Sequence, residues 1–367
     1  MKTKKTLGNW QEKIAGKYPL MIAGPCSAET EYQVLKTAHQ LANDPRIQVF
    51  RAGVWKPRTR PGNFEGHGEK ALPWLKKVKE ETGLKVAIEI ANAEHARMAL
   101  ENDIDILWIG ARTSVNPFAV QEIANTIKNT DKIVLIKNPI NPDLSLWIGA
   151  VERFFQAGIQ NLGVIHRGFS NFRPGNYRNE PQWQIALRFK KEYPNIPIIL
   201  DPSHICGRRD CIDEMSQTAL DLKYHGFMIE THISPDEAWS DAKQQITPTR
   251  LKEIITKLCL RKQQFQDPDA IDKINFYRKQ INQLDDELIK LLSERMELAQ
   301  NIGKLKKTKN VAVLQENRWG EIMNRAIENG KKVKLSKKFI EKIFSAIHQE
   351  SIEKQEIILH HKKLSDK

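Results

Sequence analysis

Residues 132–139, KIVLIKNP, carry a run of β-branched and apolar side chains straight into a lysine, an asparagine and a proline. A short apolar run that ends on polar residues reads as a buried strand reaching a polar rim. The same pattern recurs along the chain. Strand candidates fall at 20–23, 47–50, 85–90, 104–109, 132–136, 159–165, 196–200 and 226–230, mostly with room for a helix between them. Eight β–α units in about 260 residues predict an α/β fold, the (β/α)8 or TIM barrel. A doubly wound open sheet is the alternative, but no GxGxxG turn follows the first strand, which weakens a dinucleotide-binding reading.

The polar residues after these runs are in phase. GPCSAE (24–29) follows the first strand, RAGVWKPR (51–58) the second and GARTS (110–114) the fourth. Lys137 ends the fifth, HRG (166–168) follows the sixth, DPSH (201–204) the seventh, and ETH (230–232) ends the eighth. The C-terminal strand ends of a barrel converge on one face, where active sites are built. Cys26, His204, Glu230 and Asp241 fall at or just beyond those ends. A thiolate, an imidazole and two carboxylates suit one divalent ion per barrel, Mn2+, Fe2+, Co2+ or Zn2+, rather than Ca2+. They are not a closed structural zinc set. Taken alone, Cys26 reads more readily as a core thiol. Arg51, Lys56, Arg58, Arg112, Lys137 and Arg167 would surround such a metal with positive charge, a pocket for phosphate and carboxylate groups.

The chain has 367 residues, 40% hydrophobic, so it is a folded protein of about two domains. No apolar run approaches the ~18 residues of a membrane helix. The opening MKTKKTLGNWQEK lacks the apolar core of a secretory signal. Cys26, Cys206, Cys211 and Cys259 fit a reducing cytoplasm, not a disulfide scaffold. The expectation is a cytoplasmic protein with no membrane partner. The net charge is +13, and residues 271–367 hold 21 Lys+Arg against 14 Asp+Glu. Acidic residues are interleaved throughout and no aromatic-rich basic stripe appears, so no nucleic-acid partner is expected. Anionic small substrates account for the excess.

All 17 prolines lie at or before Pro268, and the 99 residues after it contain three glycines, Gly303, Gly320 and Gly330. That predicts an all-helical segment. The polar stretch around 261–270 reads as a linker. The expected domains are a barrel at 1–262, a linker at 263–270 and an all-helical domain at 271–367. Ile271, Ile274, Ile281, Leu284, Leu288, Leu291, Leu298, Ile302 and Leu305 form a stripe in steps of three and four. A helix of about ten turns needs a bundle or a partner chain. Arg295 and Lys306 lie on one face of it, about 16 Å apart, and Arg278 is turned about 100° away, toward another subunit.

The barrel motifs GPCSAE, RAGVWKPRT, GARTS, LIKNP, HRG, DPSH and ETH…SDAKQQI together resemble the metal-dependent 3-deoxy-D-arabino-heptulosonate 7-phosphate (DAHP) synthases, over nearly all of residues 15–260. The resemblance implies condensation of phosphoenolpyruvate with erythrose 4-phosphate, the first step of the shikimate pathway. It makes Cys26, His204, Glu230 and Asp241 the metal ligands. It puts Arg112, Lys137 and Arg167 on phosphoenolpyruvate, with Arg51 and Lys56 near its carboxylate and reacting carbon. Arg58 and Thr59 then take erythrose 4-phosphate, and Glu89 orients water. The segment RPGNFEGHG (60–68) and His166 before Arg167 depart from the family pattern. The related octulosonate 8-phosphate synthases carry KANRS where this chain has KPRT (56–59), which favours the four-carbon sugar.

In the tail, YRKQINQLDDELIKLLSERMELAQNIGKLK (277–306), ENRW (316–319) and SAIHQESIEKQ (345–355) resemble the all-helical chorismate mutases. The resemblance implies that Arg295, Lys306, Arg318, Ser351 and Gln355 bind chorismate and prephenate. Lys306 and Gln355 would carry the rearrangement, and Arg278 would be donated across a homodimer formed by the helical domain. Trp319 stands where the family has glutamate, and Gln315 is assigned in its place. The combined reading is a bifunctional enzyme. Only 23 residues precede the first motif, so the tail is the expected sensor and prephenate the expected inhibitor of the barrel. The alternative is a synthase with a catalytically silent helical module that dimerises and senses a metabolite.

Overall fold

Strands covered on both faces must be apolar throughout, and all eight strands are buried along almost their whole length. The computed structural model describes residues 9–16, 18–58, 62–171, 175–262, 265, 267–314 and 316–360. The strands are β1 Leu20–Gly24, β2 Val49–Arg51, β3 Lys85–Ile90, β4 Ile106–Ile109, β5 Ile133–Lys137, β6 Leu162–His166, β7 Ile198–Leu200 and β8 Gly226–Glu230. Each pairs in parallel with its neighbours in sequence, and β1 pairs with β8 to close the barrel. The expected barrel is therefore present and the open sheet is excluded. The sequence pattern begins β2, β4, β6 and β7 two or three residues early. Ile47, Ile104, Ile159 and Ile196 are buried but belong to the loops that enter these strands.

Helices α1 Trp10–Ala15, α2 Glu31–Ala42, α3 Leu72–Thr82, α4 Ala93–Glu101, α5 Pro117–Ile127, α6 Leu144–Gln156 and α7 Trp183–Glu192 alternate with the strands. The first of them precedes the barrel, and α8 Pro202–Cys206, α9 Ile212–Asp221 and α10 Pro248–Lys257 complete the outer layer. Alternate strand residues divide the core in two. Ile22, Val49, Ala87, Ile106, Leu135, Ile165, Ile199 and Met228 fill the barrel, and their outward neighbours pack under the helices. The filling of the interior makes it a core, not a pore. Trp10 joins the interior cluster and donates from Nε1 to Leu162 O at 2.9 Å, so α1 closes the end of the barrel where the strands begin. Gly163 leaves room for it, since a Cβ there would lie 2.9 Å from Trp10 Cζ2.

The chain divides into two compact units, Met1–Arg261 and Lys262–Lys367. The second contains α11 Pro268–Lys309, α12 Glu316–Lys332 and α13 Lys337–His360. The sequence reading starts α11 at 271, after the linker. The helix in fact begins at Pro268, because proline is preset for the first helical position and Asp267 caps it, accepting from Asp269 N. Contacts between Arg295 and Ser351, Gly303 and Gln355, and Lys307 and Ile358 set α13 parallel to the second half of α11. A Cβ at Gly303 would come within 3.1 Å of Gln355 Cα, which explains the glycine. The returning helix α12 meets α13 at Gly330 and Ile340 and at the Trp319–His348 stack. The first half of α11 is bare, with Ile281, Leu284, Leu288 and Leu291 between 53% and 62% exposed.

Candidate active sites

The rim of the barrel gathers charge that no folded interior holds without a purpose. Cys26 follows β1, Glu230 ends β8, and Asp241 lies in the loop beyond, held in the left-handed region at φ 47°. One donor atom from each lies within 4.8 Å of the others. Cys26 Sγ is 3.3 Å from Asp241 Oδ2 and accepts from Lys56 Nζ at 3.0 Å. Glu230 Oε1 is buried without a hydrogen-bond partner among the described residues. A carboxylate oxygen left over in this way, beside a thiol and a second carboxylate, fits a divalent cation of borderline softness. His204 does not join the three within that distance. Its Nδ1 lies 3.9 Å from Glu230 Oε1 and 2.8 Å from Asp201 Oδ2, off the hydrogen-bond direction to the latter.

Burial, reinforced by Glu230, pushes the Cys26 thiol up to about 12, against the pull of Lys56. A cation bound there would displace the thiol's proton. Burial opposes ionisation of Asp241 too, but Arg178, His204 and Lys56 outweigh it and hold the carboxyl well below the usual range. Glu230 is lowered against the same opposition by His204, Arg51 and Lys56. Lys56 is raised, because Cys26 and Glu230 overcome its desolvation.

The expected cations surround this group. Arg51 is 1% exposed, approaches Glu230 Oε1 at 3.4 Å and lies 4.8 Å from the Trp108 ring centroid. Its Nε and Nη1 are buried without hydrogen-bond partners among the described residues. Lys137 ends β5, donates to Asp201 Oδ2 at 3.1 Å and lies over the same ring at 5.7 Å. Arg167 donates to Asn179 Oδ1 at 2.8 Å, and burial lowers its guanidinium to about 10. Arg112 is exposed in the loop after β4. Arg58 donates from Nε to Phe64 O at 2.9 Å. Glu89 accepts from Trp108 Nε1 at 2.8 Å, and a Cβ at Gly110 would collide with its Oε1. Thr59 lies outside the described residues. The buried Arg51 guanidinium, with two N–H donors unpartnered among the described residues, calls for an anion.

In the helical unit Arg295 donates to Ser351 Oγ at 2.6 Å, and Gln355 Nε2 donates to Ser351 O at 3.2 Å. Gln355 Oε1 is buried without a hydrogen-bond partner among the described residues. Lys306 Nζ reaches Val313 O at 2.6 Å. Desolvation lowers both Arg295 and Lys306. Arg318 is exposed and pairs with Glu321 at 2.8 Å. Arg278 is exposed and lies 17 residues, about 25 Å, before Arg295 on the same helix, so it is not part of this cluster within one chain. Gln315 lies outside the described residues. Trp319 stacks on His348 with ring centroids 4.0 Å apart.

Several partners escape the sequence reading. Asp201 links Lys137 to His204, and its position at the head of DPSH at a strand end was an available signal. Arg178 holds Asp241 Oδ1 at 3.0 Å and Gln244 Oε1 at 2.6 Å, while Gln244 donates to Glu230 Oε2 at 2.6 Å. Trp108 forms the floor under Arg51 and Lys137. None of these three stands out in the sequence.

Comparison with known proteins supplies independent findings. The model of the DAHP synthetase I family matches residues 5–267, and that of chorismate mutase type II matches residues 277–356. The phospho-2-dehydro-3-deoxyheptonate aldolase of Thermotoga maritima is 32% identical over 246 residues, 67% of this chain and 70% of that one. The 2-dehydro-3-deoxyphosphooctonate aldolase of Wolinella succinogenes is 29% identical over 267 residues, 65% of this chain and 97% of that one. A crystal structure of the Thermotoga maritima phospho-2-dehydro-3-deoxyheptonate aldolase (DAHP synthase) is similar with a TM-score of 0.59 and 29% identity, covering 66% of this chain and 68% of that one.

Proposed function

The chain belongs to the DAHP synthetase I family and carries a chorismate mutase type II domain behind it, and on that premise we propose how its two sites work. It is a bifunctional shikimate-pathway enzyme, a synthase and an isomerase. The observation that carries the synthase reading is the Cys26–Glu230–Asp241 group set beside the buried Arg51 donors that lack a hydrogen-bond acceptor among the described residues. Those three residues, with His204, would hold one divalent ion, and such an ion supplies Lewis-acid polarisation of a substrate oxygen.

The residues around it account for the rest of the chemistry. Arg112, Lys137 and Arg167 hold the phosphate of phosphoenolpyruvate, and Arg51 holds its carboxylate. Arg58 and Thr59 hold erythrose 4-phosphate. Fixing both anions overcomes their mutual repulsion and brings the enol carbon to the aldehyde. Lys56, kept protonated by its acidic neighbours, gives its proton to the alkoxide that develops. Glu89 orients the water that adds at C2 before phosphate leaves. Identifying the sugar phosphate formed from phosphoenolpyruvate with erythrose 4-phosphate, and with arabinose 5-phosphate in parallel, tests this. Turnover of the five-carbon sugar alone would overturn the assignment.

The mutase step needs no acid, base or nucleophile. It needs a compact conformer and stabilisation of charge on the breaking ether oxygen, which the Lys306 ammonium and the Gln355 amide provide. Arg295, Arg318, Ser351 and Gln315 complete the pocket, with Arg278 from a second chain. The bare apolar face of α11 supports a homodimer through the helical unit. No helix among the described residues is long and apolar enough to cross a membrane, and four free cysteines fit the cytoplasm. Prephenate, bound near Arg295 and Lys306, is the proposed inhibitor of the barrel. Synthase rates with and without prephenate, in the wild type and in Arg295→Ala, test this, and inhibition equal in both or absent from both would refute it.

A further inference from the structure

Glu29 takes no part in the chemistry above, yet it is 3% exposed and sits where three rim loops meet. Its Oε1 accepts from Trp239 N at 2.8 Å, two residues before Asp241. Its Oε2 faces His232 Nε2 at 3.4 Å, two residues after Glu230, and both side chains are 4% exposed. Ser234 N donates to His232 Nδ1 at 2.9 Å. That fixes the tautomer: Nδ1 is the acceptor, so Nε2 carries the proton and donates to Glu29. The Glu29 carbonyl accepts from His67 Nε2 at 2.9 Å. His67 closes the loop that carries Lys56 and Arg58, because Lys56 N donates to Glu65 O at 2.8 Å and Arg58 Nε to Phe64 O at 2.9 Å. Phe64 and His67 both meet the Trp239 ring edge-on, at 5.1 and 6.1 Å.

We infer that Glu29 is a positioning residue, the tie that holds the loops bearing Cys26, Lys56 with Arg58, and Glu230 with Asp241 in register with one another. Cys26 is three residues before it on the same loop. The opposite side of that loop is tied by Cys26 N to Gln245 Oε1 at 2.9 Å, by Gln245 Nε2 to Ser240 O at 2.8 Å, and by the contact of Ser27 Oγ with Ser240 Oγ. Two sets of bonds therefore flank the segment 239–245, in which Asp241 holds a backbone conformation that side chains other than glycine rarely adopt. Glu29 also reaches the Lys56–Arg58 loop, which meets the Cys26 loop again through Ala28 N to Gly53 O at 2.9 Å and Lys56 Nζ to Cys26 O at 3.0 Å. Removing its charge loosens the carboxylate loop directly and the cation loop through Trp239, whose ring Phe64 and His67 meet, while the main-chain bond from His67 to the Glu29 carbonyl stays. Arg112, Lys137 and Arg167 belong to other strands and keep their places.

This inference rests on the metal reading of the Cys26 group, so the test separates the two. The full chain is titrated with Co2+ and followed by the thiolate-to-cobalt absorption, with thermal unfolding and synthase kinetics in parallel. The Glu29→Gln variant is expected to unfold cooperatively and to bind Co2+ roughly 10–100-fold more weakly. Its KM for erythrose 4-phosphate rises and its KM for phosphoenolpyruvate changes little. Wild-type Co2+ affinity in the folded variant would overturn the inference. Should Glu29→Gln not fold, His232→Phe decides: it leaves Oε2 without its donor and is expected to weaken Co2+ binding, and His232→Gln, which restores an N–H, is expected to recover it. Wild-type affinity in His232→Phe would overturn the inference equally. If the wild type itself gives no thiolate band, the metal reading fails and this inference fails with it.

Discussion

The two ends of the chain handle charge in opposite ways. At the barrel rim Arg51, Lys137, Asp201 and Glu230 are buried and wired to one another within a single chain. In the helical unit Arg295 and Lys306 are only half-buried, Arg318 and Arg278 are exposed, and so is the apolar stripe on the first half of α11. The difference teaches what each site needs. A site that fixes a divalent ion must have its donors and their partners preorganised by rigid strands. A pocket that folds a flexible diacid into one conformer can be finished by a second copy of the chain.

The largest expected effect attacks the barrel side. Cys26→Ser removes the soft donor, so the variant should fold, lose most bound metal and lose synthase activity by roughly 10²-fold or more, with mutase activity intact. Metal content by elemental analysis and both rates decide it, and a fully active, metal-loaded variant refutes the role of the thiol. On the other side, Lys306→Ala and Gln355→Ala should each cost the mutase about 10²–10³ in kcat while the synthase rate survives. Unchanged mutase rates in both variants would remove the site.

A mixing experiment sharpens the contrast between a complete site and a shared one. Arg278→Ala and Lys306→Ala should each be nearly inactive as mutases. Co-refolded in equal amounts, they should recover about one quarter of wild-type activity, because half the dimers are mixed and each has one intact composite site. If Arg278 serves its own chain, no activity returns.

The smallest effect is in pH. The Asp44 and Asp201 carboxyls are held below the usual range, by Arg46 and by His204 with Lys137 respectively, in both cases against burial. Their contribution to stability is fully present above about pH 4, the ordinary carboxylate range, and is lost as pH falls through their lowered folded values. His348 in the tail is a base lowered by desolvation and by Arg295. The unfolded chain therefore takes up that proton first as pH falls below the ordinary histidine value of about 6.5, and the tail loses stability, as the barrel also does through His166 and His225, both lowered by burial. Amide exchange of α13 between about pH 7.5 and 5.5, corrected for intrinsic rates, should show a modest loss of protection that His348→Gln abolishes. Equal protection at both pH values would contradict it.

How much of this was legible follows from the same contrast. The strands were readable because buried parallel strands are apolar throughout, and Lys137 and Glu230 because they end such runs. Arg178 and Gln244 were not, since they act through space from loops with no periodic pattern. Of the four residues read as metal ligands, Cys26, Glu230 and Asp241 gather closely, while His204 Nδ1 sits against Asp201, three residues before it in DPSH, a pairing that the reading of single residues passed over. The stripe on α11 was readable as apolar, but periodicity says that a face wants cover and not which chain supplies it.

The proposed function joins a metal-dependent barrel to a metal-independent tail. The direct measurement is both activities of one sample before and after exhaustive chelation, and again after adding back Mn2+ or Co2+. Synthase activity should fall to background and return with the ion, while the mutase rate stays constant throughout. A synthase that keeps its rate after the metal is shown to be gone, or a mutase that falls with it, would contradict the account.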